Sequence, residues 1–189
     1  MKRTAVNNLT LCAMFISLGL VLPFFTGQIP RIGNMLLPMH LPIFLCGLIC
    51  GAKWGLLAGF VTPLLRTALF GVPILYPMSV SMAFELATYG FVAGLLYTLS
   101  RWKCIIALYR AMIPAMFAGR LVWGTVRVIL TGIFGTPFSW EMFCAGAFIN
   151  AVPGIVLQLI LIPAIMVALN KTGLVPFSKH HKSNMASEH

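Results

Sequence analysis

Aspartate is absent from this chain, and glutamate occurs only as Glu85, Glu141 and Glu188. Charged residues of both signs make up 8% of the 189 residues. A soluble domain carries about a quarter, so a soluble globular class is excluded. No GxxxxGK[ST] loop is present, so the chain has no such means of hydrolysing ATP. The five cysteines are Cys12, Cys46, Cys50, Cys104 and Cys144. Cys46 and Cys50 fall on one helix face, but neither a histidine nor a second pair completes a metal site. The His180–His181 pair has no partner ligands either. No constellation for catalysis is visible, and neither an enzyme nor a bound cofactor or metal is expected.

What the chain does have is hydrocarbon. Hydrophobic residues account for 60% of it, in long uncharged runs that need lipid as solvent. The net charge of +10 belongs to basic residues at helix ends, not to a basic surface with interleaved aromatics, so nucleic acid is not an expected partner. The first residues, MKRTAVNNLTLCAMFISLGLVLPFF, have the basic start and apolar core of a signal peptide. Pro23, Phe24 and Phe25 stand where a small-x-small cleavage site would be, so a retained first membrane helix is expected.

The reading is an all-α integral membrane protein, a bundle of six transmembrane helices in a single domain over 1–170 with a polar tail at 171–189. The helices are expected at about 8–24, 41–50, 54–70, 76–99, 105–133 and 140–169. The second is too short to cross about 30 Å of hydrocarbon at about 1.5 Å per residue unless it tilts or gains residues. Gly47, Gly51, Gly55 and Gly59 remove side chains at every fourth position, so backbones meet closely there. Pro63 is expected to kink the third helix. The segment 25–40, broken by Pro30, Gly33, Asn34 and Pro38, is long enough for a lid with Phe25, Gln28, Arg31, Asn34 and His40 lining a ligand, a surface loop resting on the headgroups being the alternative. Lys2, Arg3, Lys53, Arg101, Lys103, Lys171, Lys179 and Lys182 fall at one end of such a bundle and Arg31 alone in the opposite loops. That asymmetry places both termini in the cytoplasm and the chain in the cell membrane.

A charge inside a bilayer costs at least about 2.5–3.5 kcal/mol unless it is paired or watered. The simplest pairing is Glu85 with Arg66, on consecutive helices, as either a structural or a ligand-binding pair. Arg120 and Arg127 are then left without acidic partners. An unpaired arginine lining a cavity suits bidentate binding of carboxylate or phosphate, and snorkelling to an interface is the alternative. Asn150 and Gln158 share a face of the sixth helix and serve either a polar ligand or interhelical hydrogen bonds. Ala13 and Ser17, four apart, form a small-residue face on the first helix.

At this point the sequence resembles a known family. Ala13 to Ser17 (AMFIS), the long loop, PMHLPIFLCGLICGAKWGLLAGFVTPLLR and YPMSVSMAFELATYGFVAGLLY look like the substrate-binding S component of energy-coupling factor (ECF) vitamin transporters, over about residues 8–170. The resemblance implies six helices, a vitamin site near the outer face covered by the first long loop, and a membrane T subunit with two ATP-binding A subunits as partners. It implies that an AxxxA pattern on the first helix docks the T subunit. Here Ala13 and Ser17 would do so, with serine a departure. The HLP segment, the arginine after TPLL and the SMAFELATYG run look most like members linked to pantothenate. Arg120 or Arg127 would then take the carboxylate and Asn150 the amide, beside Glu85, Arg66, His40 and Asn34. Pyridoxine, a hydroxymethylpyrimidine, folate and cobalamin are alternative substrates. A stand-alone carrier or small channel, and an intramembrane enzyme or assembly factor, are the alternative classes.

Overall fold

A computed structural model describes residues 5–27, 38–100, 103–133 and 152–171. Among them the chain is all-helical: α1 (Ala5–Gly27), α2 (His40–Cys50), α3 (Ala52–Phe70), α4 (Val80–Leu99), α5 (Ile105–Ile133) and α6 (Val152–Lys171), with a single π-turn at Leu75–Ser79. Four stretches are long and apolar enough to cross a membrane, namely Ala5–Phe25, Leu75–Leu99, Ile105–Gly132 and Val152–Lys171. α2, with 11 residues, is not among them. Most of the long loop, the start of the expected sixth helix and the polar tail lie outside the described residues.

α2 is the centre of the bundle. It is apolar all round, and every residue from His40 to Leu48 is buried, the pattern of a helix with neighbours on all sides. Those neighbours are α1, α3, α4 and α6. α4 packs most extensively against α3 and α5. Helices α1, α5 and α6 turn large apolar side chains outward, among them Leu9, Val21, Ile113, Phe117, Leu121, Val156 and Ile160. Such an outward face is stable against lipid and not against water.

Glycine permits the central contact. A β-carbon on Gly47 would lie 2.4 Å from the Gly90 carbonyl oxygen, one on Gly55 2.5 Å from that same oxygen, and one on Gly59 2.3 Å from the Leu86 carbonyl oxygen. Backbones of α2, α3 and α4 therefore touch directly, as small residues allow in membranes. Gly51 departs from the expected ladder. It has φ +97° with nothing among the described residues within 4 Å, and it is the turn between α2 and α3, a conformation that side-chain-bearing residues avoid. The partners that complete the junction are Gly90 and Gly94 on α4.

Two prolines shape the end of the bundle remote from Lys53 and Lys103. Pro23 does not end α1, which continues to Gly27. The Arg66 guanidinium donates to the Leu20 carbonyl at 3.2 Å, beside the place where Pro23 removes a backbone donor, and it lies 5.3 Å over the Phe24 ring. Phe24 in turn meets Phe70 edge-on at 4.8 Å. In α3, the Pro63 carbonyl accepts from Ser79 Oγ at 3.0 Å, and Ser79 accepts from Thr67 Oγ1 at 2.8 Å. That chain of hydroxyls ties the start of α4 to α3. The Tyr76 hydroxyl donates to the Leu130 carbonyl and ties the same loop to α5.

Candidate functional site

Glu85 lies on the buried face of α4 with Ser81 and Tyr89, one turn to either side. It is the only acidic residue among the described ones and is 2% exposed. An isolated carboxylate so placed would be strongly unfavourable. Three side chains converge on its Oε1. Tyr89 donates its hydroxyl at 2.8 Å. Arg120 of α5 brings NH1 to 3.0 Å. His40, the first residue of α2, places Nε2 at 3.7 Å. Tyr89 is held by stacking on Phe44, with ring centroids 5.1 Å apart, and by a tilted contact with His40 at 5.3 Å.

The pairing differs from the sequence expectation. Arg66 was the simplest partner for Glu85, being on the preceding helix. In the structure it serves the α1 carbonyl and the Phe24 ring, and Arg120 holds Glu85. The cause is local. A β-carbon on Gly119 would fall 2.3 Å from the Tyr89 ring, so glycine lets α5 lie against the tyrosine and brings Arg120 into reach. Arg120 therefore does have an acidic partner, contrary to expectation. Tyr89 and Gly119 are the site residues that sequence reasoning missed. Their signals were a tyrosine one turn after the sole membrane-depth carboxylate, and a glycine immediately before an arginine.

The cluster is incompletely satisfied. Arg120 Nε and NH2, both ring nitrogens of His40 and Gln158 Nε2 are buried with no hydrogen-bond partner among the described residues. Native proteins seldom leave such donors empty. Gln158 is on α6, which packs on α2 and α5. Arg127, two turns beyond Arg120, also leaves Nε and NH1 unpartnered, and its guanidinium lies 5.8 Å over Trp123. Gln28, Arg31, Asn34 and Asn150 fall outside the described residues, and Phe25 is exposed at the end of α1. Ala13 and Ser17 are both exposed on α1, with Ser17 Oγ folded back on the Ala13 carbonyl at 3.0 Å. Among the described cysteines none is in a disulfide, and no cluster of three metal-ligating side chains forms among the described residues.

An apolar helical bundle that buries a carboxylate among surplus N–H donors has the layout of a membrane-embedded binding protein. The chain belongs to the ECF transporter, substrate-specific component family, whose model matches residues 7–175. No curated protein and no solved structure matches it significantly. Membership makes the chain a membrane protein and the substrate-specific subunit of an ECF transporter, a binding subunit and not an enzyme. It also implies a substrate and the ECF T and A subunits as partners.

Proposed function

We propose that this chain captures a vitamin from the outer face of the cell membrane, with pantothenate as the best reading. The observation that carries it is the buried Glu85–Arg120–His40–Tyr89 cluster, whose guanidinium keeps an open Nε–NH2 edge among the described residues. Such an edge matches a carboxylate in its planar, bidentate geometry. Pantothenate offers one carboxylate, an amide and two hydroxyls. Arg120, Arg127, His40 and Glu85, with Asn34 and Asn150 from outside the described residues, would form its surroundings. The reading gives Arg66 the role of holding α1.

In this reading six helices cross the membrane. Lys53, Lys103 and Lys171 mark the cytoplasmic end, where both termini lie. The loop between α1 and α2 closes over the substrate. The exposed Ala13–Ser17 face receives the T subunit, because small residues let a partner helix approach closely. Two A subunits supply the energy of ATP. The test is to purify the protein without added ligand, identify any small molecule retained by mass spectrometry, and titrate the emptied protein calorimetrically. Pantothenate should be retained and rebound. Retention of pyridoxine, a hydroxymethylpyrimidine, folate or cobalamin instead would reassign the substrate and leave the transporter role standing.

A further inference from the structure

The outward side of α3 and α4 carries a groove of about 260 Å³ lined by Leu56, Phe60, Phe84, Ala87, Thr88 and Phe91. Phe60 and Phe84 meet edge-on across it at 5.6 Å. Its one polar side chain, Thr88, donates its hydroxyl to the Phe84 carbonyl of its own helix at 2.7 Å. The lining therefore asks for hydrocarbon and not for water. Leu56, Phe60, Phe84 and Phe91 are all exposed, so no described helix covers them. From Phe84 to Phe91 the groove follows α4 for roughly 10 Å at about 1.5 Å per residue. It uses a different face of that helix from the buried Glu85 and Tyr89.

Shape and charge together say what fills it. Helices in membranes approach one another over small residues. Here Gly55, Gly59 and Gly90 are spent on the α3–α4 contact itself, where added β-carbons would meet backbone atoms at 2.5, 2.3 and 2.2 Å. What is left facing outward is a slot between bulky side chains. It admits a slender chain and holds off a helix of about 10–12 Å diameter. Left empty, the slot would forfeit dispersion contacts along its lining. Lys53 precedes Leu56 and Phe60 by three and seven residues, so the three form one stripe on α3. It is exposed. Glu85 is the only carboxylate among the described residues and is enclosed with Arg120, so the Lys53 ammonium has no acidic partner among them. The adjacent Trp54 is half-buried, and tryptophan is enriched at headgroup depth. An uncompensated cation thus stands about one turn beyond the end of an apolar slot, as far apart as a lipid phosphate and the start of its chain.

We propose that the α3–α4 groove and Lys53 form a binding site for one anionic phospholipid, with an acyl chain along Leu56, Phe60, Phe84 and Phe91 and the phosphate on the Lys53 ammonium. The site is separate from the Glu85 cluster and does not depend on which vitamin the chain binds. A lipid held there stabilises the folded bundle by mass action.

The experiment is native mass spectrometry of the delipidated full-length protein, titrated with dioleoylphosphatidylglycerol and, separately, with dioleoylphosphatidylcholine. Unfolding temperatures are read on the same samples. The first phosphatidylglycerol should bind about fivefold tighter than phosphatidylcholine, the preference that one lysine near an anionic headgroup confers, and should raise the unfolding temperature more. Lys53→Gln should remove that preference and Lys53→Arg should keep it. Thr88→Phe fills the slot and should weaken both lipids by roughly fivefold or more, as the dispersion contacts of the lining are lost to the chain. Arg110→Gln, which removes an exposed charge near the start of α5, should leave the preference unchanged. Equal affinity for the two lipids in the wild type, or an undiminished preference in Lys53→Gln, overturns the site. So does an equal loss in Lys53→Gln and Arg110→Gln, which would mean general attraction to a basic surface. Full lipid affinity in a folded Thr88→Phe protein overturns the groove; should that variant not fold, the Lys53 variants carry the test. The lipid should also be retained in the purified whole transporter, and its loss on assembly would give the groove to a partner helix and overturn the proposal.

Discussion

Glu85 of α4 and Arg120 of α5 meet at 3.0 Å with 2% and 9% of their side chains exposed. Attraction in such surroundings is strong, but so is the cost of removing both charges from water, and the net stabilisation is small. What is large is the penalty for leaving one charge alone. Arg120→Ala should therefore destabilise the protein by about 3–5 kcal/mol, and Glu85→Gln in the same chain should recover much of that loss. Arg66→Ala should show no such rescue, because its contacts are with Leu20 and Phe24, and effects at independent sites add. Thermal unfolding of the three single variants and the two doubles in one detergent checks this. Rescue of Arg66→Ala by Glu85→Gln, with none for Arg120→Ala, would restore the Arg66 pairing.

The helical class could be read from the sequence because lipid leaves a chain few choices: every backbone group must be satisfied within its own segment. The candidates Arg120, Glu85 and His40 were also legible, since ionisable side chains in apolar runs are rare enough to notice one by one. Their pairing was not. Which arginine reaches Glu85 depends on how α3 and α5 are rotated about α4, and hydropathy carries no information on rotation. The determinants are contacts between distant residues, such as Gly119 against Tyr89 and Gly55 against Gly90. Gly51 falls, as expected, in the turn between the second and third helices, but it does not also serve the packing ladder, for a similar reason. Spacing by four marks a common face only while the helix continues, and here it stops.

The glycine junction separates two kinds of glycine. Gly55→Val and Gly90→Val should abolish the folded bundle or shift its unfolding temperature sharply downward. The neighbouring atoms, 2.5 Å and 2.2 Å from the new β-carbons, are backbone carbonyl oxygens that cannot swing aside. Gly132→Ala, where nothing among the described residues lies within 4 Å, should be neutral or stabilise by up to about 1 kcal/mol through helix propensity. Fluorescence-detected size exclusion after a heating series distinguishes the outcomes. Tolerance of valine at Gly55 and Gly90 would mean that the three backbones do not touch.

The face of α1 bearing Ala13 and Ser17 is exposed, and Ser17 spends its hydroxyl on its own helix. If this face receives the T subunit, Ala13→Trp and Ser17→Trp should leave vitamin binding unchanged and eliminate uptake, because the bulky ring holds the partner backbone away. Calorimetry on the isolated subunit and uptake by cells carrying the whole transporter give the two readings. Normal uptake by both variants would move the docking surface elsewhere.

Arg127 separates a ligand-binding role from a structural one. Its Nε and NH1 lack partners among the described residues, and no carboxylate among them compensates its charge. Its stacking on Trp123 fixes the guanidinium plane without using a donor, and a half-buried cation in that state is suited to a ligand acceptor. A hydrogen bond to a charged group contributes roughly 1.5–3 kcal/mol, so Arg127→Ala should weaken pantothenate binding by about tenfold to a hundredfold. Stability should change little, because no buried anion is stranded. Arg127→Lys should recover little of the affinity, since an ammonium presents neither the planar fork nor the stacking surface. Full affinity in Arg127→Ala would leave this arginine facing lipid headgroups and Arg120 as the sole guanidinium for the substrate. Lost affinity together with a large drop in unfolding temperature would make Arg127 a structural residue instead.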